Sequence, residues 1–323
     1  MTKTIEAEVL FRPSNESLRF LPEGPYAYPY GANQFSWVAI QCGPTAKHGA
    51  INVFDWTSKQ NTSYDLTGRP GFAFATDREG VFVAGCEREI GFFSLHDRSW
   101  TVLASDIDAD KEGTVINDAV TWDGNLIFGT KDLEFRTKKA GLYLYRGRDG
   151  KLVRLRDDQV CSNGKAIVKS TIGSLTLLDI DSPTRKVVAY GVDVEAATLS
   201  EPRVVIDLTA DPAVPDGMIL TPDQQSVIIS MYNPNPAAHG ETRQYRLSDG
   251  ALEIVWTTRG SPQNTCPQLI KAADKVHLII TTALEFMPEE RRSQSPEAGS
   301  LFCSPTDWET TSESPVFPIP SNF

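Results

Sequence analysis

A chain of 323 residues with 40% hydrophobic and 23% charged residues has the composition of a folded globular protein, which excludes a disordered one. Its formal charge of −11, with no Lys/Arg-rich run, argues against nucleic acid or an anionic membrane surface as the main partner. No run is long and apolar enough to span a bilayer, and the opening MTKTIEAEVLFRPSN lacks the apolar stretch of a signal peptide. The expectation is a cytoplasmic protein, a monomer or weak homodimer, acting on a small molecule.

In chain order, the first element is the N-terminal strand IEAEVLF. Two kinds of β run then alternate to the end of the chain. Compact apolar runs start at 37 (WVAIQ), 81 (VFVAG), 125 (NLIFGT), 174 (SLTLLD), 226 (SVIIS) and 277 (HLIITTA). Alternating runs that end in polar turns start at 51 (INVFDWTSK), 90 (IGFFSLHDR), 142 (LYLYRGRDG), 186 (KVVAYGVD), 243 (RQYRLSDG) and 300 (SLFCSPTD). Helical periodicity is almost absent. Successive members of either set lie roughly 40 to 57 residues apart, the repeat of a four-stranded propeller blade. The fold expected is therefore all-β: one domain over residues 1–323, a six-bladed β-propeller with a central metal site. The N-terminal strand would pair with the last blade so that no sheet edge stays open.

Five cysteines, at positions 42, 86, 161, 266 and 303, show no CxxC pair and no metal-ligand spacing, and read as free thiols. The four histidines form no i, i+4 pair; His277, in KVHLIITTA, reads as a satisfied strand residue.

In a propeller, residues at equal phase in different blades converge on the axis. About ten residues before each compact run stand Pro70 with Gly71, Asn117, Asn163, Asp216, and Thr265 with Cys266, with Glu23 a little further back in the first repeat. Taken singly, Asn163-Gly164, Asp216-Gly217, Asn117-Asp118 and the Glu23-Gly24-Pro25 segment have turn chemistry. Taken in phase, two carboxylates and two carboxamides make a hard-oxygen donor set, suited to one divalent cation. That ion is Ca²⁺ first, with Mg²⁺ or Mn²⁺ next and Zn²⁺ still open.

With these residues in view, the chain resembles the regucalcin/SMP-30, gluconolactonase and luciferin-regenerating-enzyme family. The resemblance is carried by EGP at 23–25, DRSWTVL at 97–103, NDAVTWDGNLIFGT at 117–130, SNGKAI at 162–167, DIDSPTRKVVAYGVD at 179–193, VPDGMILTPD at 214–223, TCPQL at 265–269 and PEAGSLF at 296–302. It implies a six-bladed propeller holding one divalent metal, with Glu23, Asn163 and Asp216 as ligands and Asn117 contacting metal or substrate. The same Asp216 is the implied general base. Two positions depart from the family's Arg-x-Asn-Asp-Gly motif: Val115 stands at the Arg and Ala119 at the Gly. Since that Arg contacts substrate, the specificity pocket differs, and Lys131, Asp132 or Glu134 is a candidate to supply another polar contact. The expected activity is metal-dependent opening of a lactone ring. A phosphotriester hydrolase on the same centre and a non-catalytic calcium-binding propeller are the alternatives.

Overall fold

The computed structural model describes residues 2–311 and 316–320. Among these, helix is confined to single turns at Glu16–Arg19, Ser182–Thr184 and Glu289–Arg292, so the all-β expectation holds. The chain divides into two compact units, one running to Arg69 and resuming at Ala210, the other formed by Pro70–Thr209 with the described part of the C-terminal tail.

The second unit contains three antiparallel sheets. Two have four strands: Pro70–Ala75, Val81–Cys86, Glu89–Ser94 and Trp100–Ala104, then Thr114–Trp122, Asn125–Asp132, Ala140–Arg146 and Lys151–Gln159. The third runs Ser162–Lys169, Leu175–Asp181 and Lys186–Asp193, with its outer position shared by Thr198–Leu199 and Arg203–Asp207.

In the first unit, Pro22–Ala27, Gln34–Ala39, Gly49–Asp55 and Asn61–Leu66 form a four-stranded sheet. Its other sheet has eight strands, and the N-terminal strand Lys3–Phe11 joins the two halves. That strand runs parallel to Leu252–Arg259 and antiparallel to Leu301–Pro305, so it covers two edges that would otherwise be open to another chain. Pairing with the last sheet was legible in the sequence; the parallel contact was not.

Every compact apolar run is the second strand of a sheet and every alternating run the third. Consecutive residues of a second strand are sealed on both faces, as at Leu126, Ile127 and Phe128, each 0% exposed, which is why these runs lose the period-2 pattern. Between the sheets of the second unit, Trp122, Ile127, Leu142 and Leu144 interdigitate with Leu177 and Tyr190. In the first unit Ala7, Trp256, Ile280 and Phe302 form one core, and Phe35, Trp37, Phe54 and Leu301 another. Each large side chain so buried is worth at most about 1.5–3 kcal/mol.

His277 does lie on a strand, its ring tilted against that of Trp56 with centroids 4.5 Å apart, but its buried Nδ1 has no partner among the described residues, so it is not the fully satisfied histidine expected. All five cysteines are free.

The tail makes a contact the sequence did not announce. Phe317 is fully buried, its N–H donates to Ala75 O at 2.9 Å, and its carbonyl accepts from Asp77 N at 3.2 Å. Its ring lies 6.2 Å from that of Phe92. Phe317→Ala is expected to cost about 3–5 kcal/mol in a denaturant titration. Ile172→Ala, at a turn residue 89% exposed, should stay within about 0.5 kcal/mol of wild type.

Candidate functional site

Each sheet's first strand carries a β-bulge against the second. The register shifts between Glu23 and Tyr26, Pro70 and Phe72, Ile116 and Ala119, Ser162 and Lys165, Pro215 and Met218, and Asn264 and Pro267. In or beside these bulges stand Glu23, Gly71, Asn117, Asn163, Asp216, and Thr265 with Cys266, the residues that phase selects. A bulge leaves a residue unpaired and re-aims its side chain, and such devices concentrate beside functional sites. The turn reading is thereby overturned: all four candidate segments lie inside strands, and the turn that follows Asn163 comes later, at residues 170–174.

Two glycines show how closely neighbouring bulges meet. A Cβ on Gly71 would collide with the backbone oxygen of Asn117, and one on Gly217 would sit 2.8 Å from Cys266 Cα. Only glycine lets these strands approach so closely.

In the second unit the structure brings Asn117 and Asn163 together. Asn117 Nδ2 donates to Asn163 Oδ1 at 2.6 Å and to the carbonyl of Ser162 at 2.9 Å. A carbonyl only accepts, so the Asn117 amide nitrogen is fixed on this side; among the described residues no donor reaches its Oδ1. Asn163 Nδ2 donates to Ser182 Oγ at 2.7 Å and to Cys161 Sγ at 3.4 Å, and the Asn117 donor on the other side fixes Oδ1 as the acceptor end of the amide.

Beneath it lies a buried charge pair. Lys165 Nζ donates to Ser162 Oγ at 2.7 Å and to Asn163 O at 2.5 Å, and pairs with Asp179 at 3.3 Å; both side chains are at most 3% exposed. Gln159 Nε2 donates to the other Asp179 oxygen at 2.6 Å. Asp118, beside Asn117, accepts from Ala119 N at 2.6 Å; burial pushes its pKa up, against the pull of Lys165 and with the push of Asp179. The sequence reading missed Lys165, Asp179, Ser182 and Asp118 as supports of this site. The Asn117-Asp118 doublet and the lysine two residues after Asn163 were the only signals.

In the first unit, Glu23 and Asp216 are 8% and 9% exposed. Thr265 Oγ1 donates to Pro22 O at 2.7 Å, which ties the strand bearing Thr265 and Cys266 to that bearing Glu23. On its other side this strand meets the Asp216 strand at Gly217. Tyr232 donates to Glu285 O at 2.5 Å, and burial, then the charges of Glu285 and Asp216, hold its pKa well above the usual phenol value.

At the positions that depart from the motif, Val115 is buried and lies directly across the strand pair from Lys131, itself 6% exposed. Asp132 is fully engaged by the loop that follows it: it accepts from the backbone N–H groups of Glu134, Arg136 and Thr137 and pairs with Lys139 at 3.0 Å. Glu134 is a surface residue.

Glu23 and Asp216 in the first unit, and Asn117 and Asn163 in the second, are each buried and carry side-chain oxygens, the donor type that a hard divalent cation takes. Among the described residues no three His, Cys, Asp or Glu side chains gather in one place; two of these four donors are carboxamides.

An all-β fold of small sheets with bulged first strands defines a propeller-like protein. The chain belongs to the SMP-30/gluconolactonase/LRE-like family, whose region matches residues 21–284. It is 30% identical over 180 residues to the putative sugar lactone lactonase YvrE of Bacillus subtilis, a match spanning 55% of this chain and only 57% of that one. To regucalcin of Xenopus laevis it is 24% identical over 270 residues, covering 79% of this chain and 86% of the relative. Among solved structures, a calcium-binding regucalcin from Agrobacterium tumefaciens superposes with a TM-score of 0.78 at 18% identity, over 99% of this chain and 98% of that one. A gluconolactonase from Xanthomonas campestris gives 0.60 at 16%, over 93% and 94%. At such identities these two speak for the fold alone. Among the described residues no helix is long and apolar enough to cross a membrane.

The buried pair under Asn163 yields a prediction. Lys165→Met strands the Asp179 carboxylate and is expected to cost about 3–5 kcal/mol in chemical denaturation, and adding Asp179→Asn should recover a large part of that loss. Additive penalties from the two changes would contradict the pairing.

Proposed function

We propose that this protein opens the ring of a lactone, a sugar lactone or a related small one, by hydrolysis at a site holding one divalent cation, with Ca²⁺ the first candidate and Zn²⁺, Mn²⁺ or Mg²⁺ the others. The supporting observation is that the four oxygen-donor residues phase selects fall at the bulges of their first strands, in a chain of this family. The reading takes the small sheets as the blades of a six-bladed propeller with the cation at its centre. Glu23, Asn163 and Asp216 would hold it, and it would supply polarisation of the lactone carbonyl and stabilisation of the charge that develops there.

The chain's own residues do the rest. Asp216 accepts the proton of the attacking water. Asn163, its amide nitrogen fixed by Ser182, keeps its oxygen turned toward the site. Asn117, by donating to that oxygen, holds it in place and orients substrate through its own Oδ1, or lends that oxygen to the cation.

The test is proton release at fixed pH and low buffer from five- and six-membered aldonolactones. Wild type with added cation should open at least one of them, chelator should abolish the reaction, and Asp216→Asn should lower the rate by about 10²–10⁴-fold, the range for a lost general base. Equal rates for the variant and wild type on every lactone would contradict the reading.

A further inference from the structure

Lys131 is a buried cation without a partner. It retains 6% of its surface, and no hydrogen bond or ion pair to its ammonium exists among the described residues. Its one polar compensation is the face of Phe135, 5.7 Å from Nζ, at the outer limit of a cation–π contact. The other lysines with low exposure on this side of the unit are paired, Lys165 with Asp179 and Lys139 with Asp132. The carboxylate next along the chain, Asp132, has both oxygens committed to its own loop. The Lys131 Nζ is not one of the sealed polar atoms that lack a partner, so it keeps access to solvent and stays reachable from outside.

Its location gives the unpaired ammonium a purpose. Lys131 faces Val115 across the strand pair and so lies on the face of the sheet that Val115 shares, two residues before Asn117. Its backbone also bridges to Cys161, whose sulfur receives the Asn163 amide. Lys131 therefore stands on the strand that neighbours both carboxamides of the candidate site, directly across from an apolar valine that brings no charge of its own.

We propose that Lys131 is the specificity residue for an oxyanion on the substrate: the preferred lactone carries a carboxylate or a phosphate ester, which completes the missing ion pair on binding. This rests on the lactone reading above.

The experiment compares kcat/KM for three matched lactones, bearing a hydroxymethyl, a carboxylate or a phosphomethyl group, in wild type, Lys131→Met and Lys131→Arg. Wild type should prefer an anionic lactone, and which of the two it prefers identifies the oxyanion. Lys131→Met should lose about 10- to 100-fold on the anionic substrate, the worth of a charged hydrogen bond, with the neutral one within about twofold, and Lys131→Arg should retain part of the preference. The melting temperature of Lys131→Met should equal or exceed that of wild type, since no ion pair or hydrogen bond of the ammonium is lost and the apolar stem is kept. Equal losses on neutral and anionic lactones, or a lowered melting temperature, would overturn the proposal. If no lactone is opened at all, the lactone reading fails by itself. Lys131 is then judged by calorimetric titration with an open-chain aldarate dianion: tenfold weaker binding by Lys131→Met upholds its role, and equal or absent binding in both proteins overturns it.

Discussion

The bulge at the first strand of each sheet is the constraint on which the rest of this structure depends. It is placed so that a polar residue, or a glycine making room for one, leaves the ladder at the same point of the repeat. Gly71 and Gly217 allow neighbouring bulges to come into backbone contact, and Thr265 bonds the strand of Glu23 through its hydroxyl. The apolar second strands, sealed on both faces, supply the rigid support against which that irregularity is tolerated.

The two buried lysines of the second unit illustrate opposite uses of charge. Lys165 is surrounded by acceptors and its pairing with Asp179 is internal, so its role is to hold the backbone carbonyl of Asn163 and the strand that carries it. Lys131 has an aromatic ring and, among the described residues, no anion. One lysine positions the carboxamide; the other is left to meet something from outside.

Much of this was legible in the sequence because it depends on period. The alternation of apolar and alternating runs located every second and third strand, and counting back from the second strands led to Glu23, Asn117, Asn163 and Asp216, which lie on first strands at or beside the bulges. Local chemistry pointed the other way: Asn-Gly and Asp-Gly are strong hairpin signals, yet here the glycine serves a bulge within a strand. What stayed hidden was contact between distant segments. Nothing about Lys165 in SNGKAI announces an ion pair with Asp179, nothing in the tail announces that Phe317 seals against Ala75, and the satisfied His277 of the sequence has an unpartnered Nδ1. These depend on which surfaces meet, which periodicity does not encode.

The account's central claim is that Glu23, Asn163 and Asp216 hold one divalent cation. Calorimetric titration of chelator-stripped protein with Ca²⁺, repeated with Mn²⁺, tests it most directly when wild type is set beside Asn163→Leu and Asp216→Asn with their folding checked by melting temperature. The account predicts one ion per chain for wild type, with affinity lowered more than about tenfold in each variant, as expected when a ligand oxygen is lost or its charge removed. Wild-type affinity in either folded variant would contradict it.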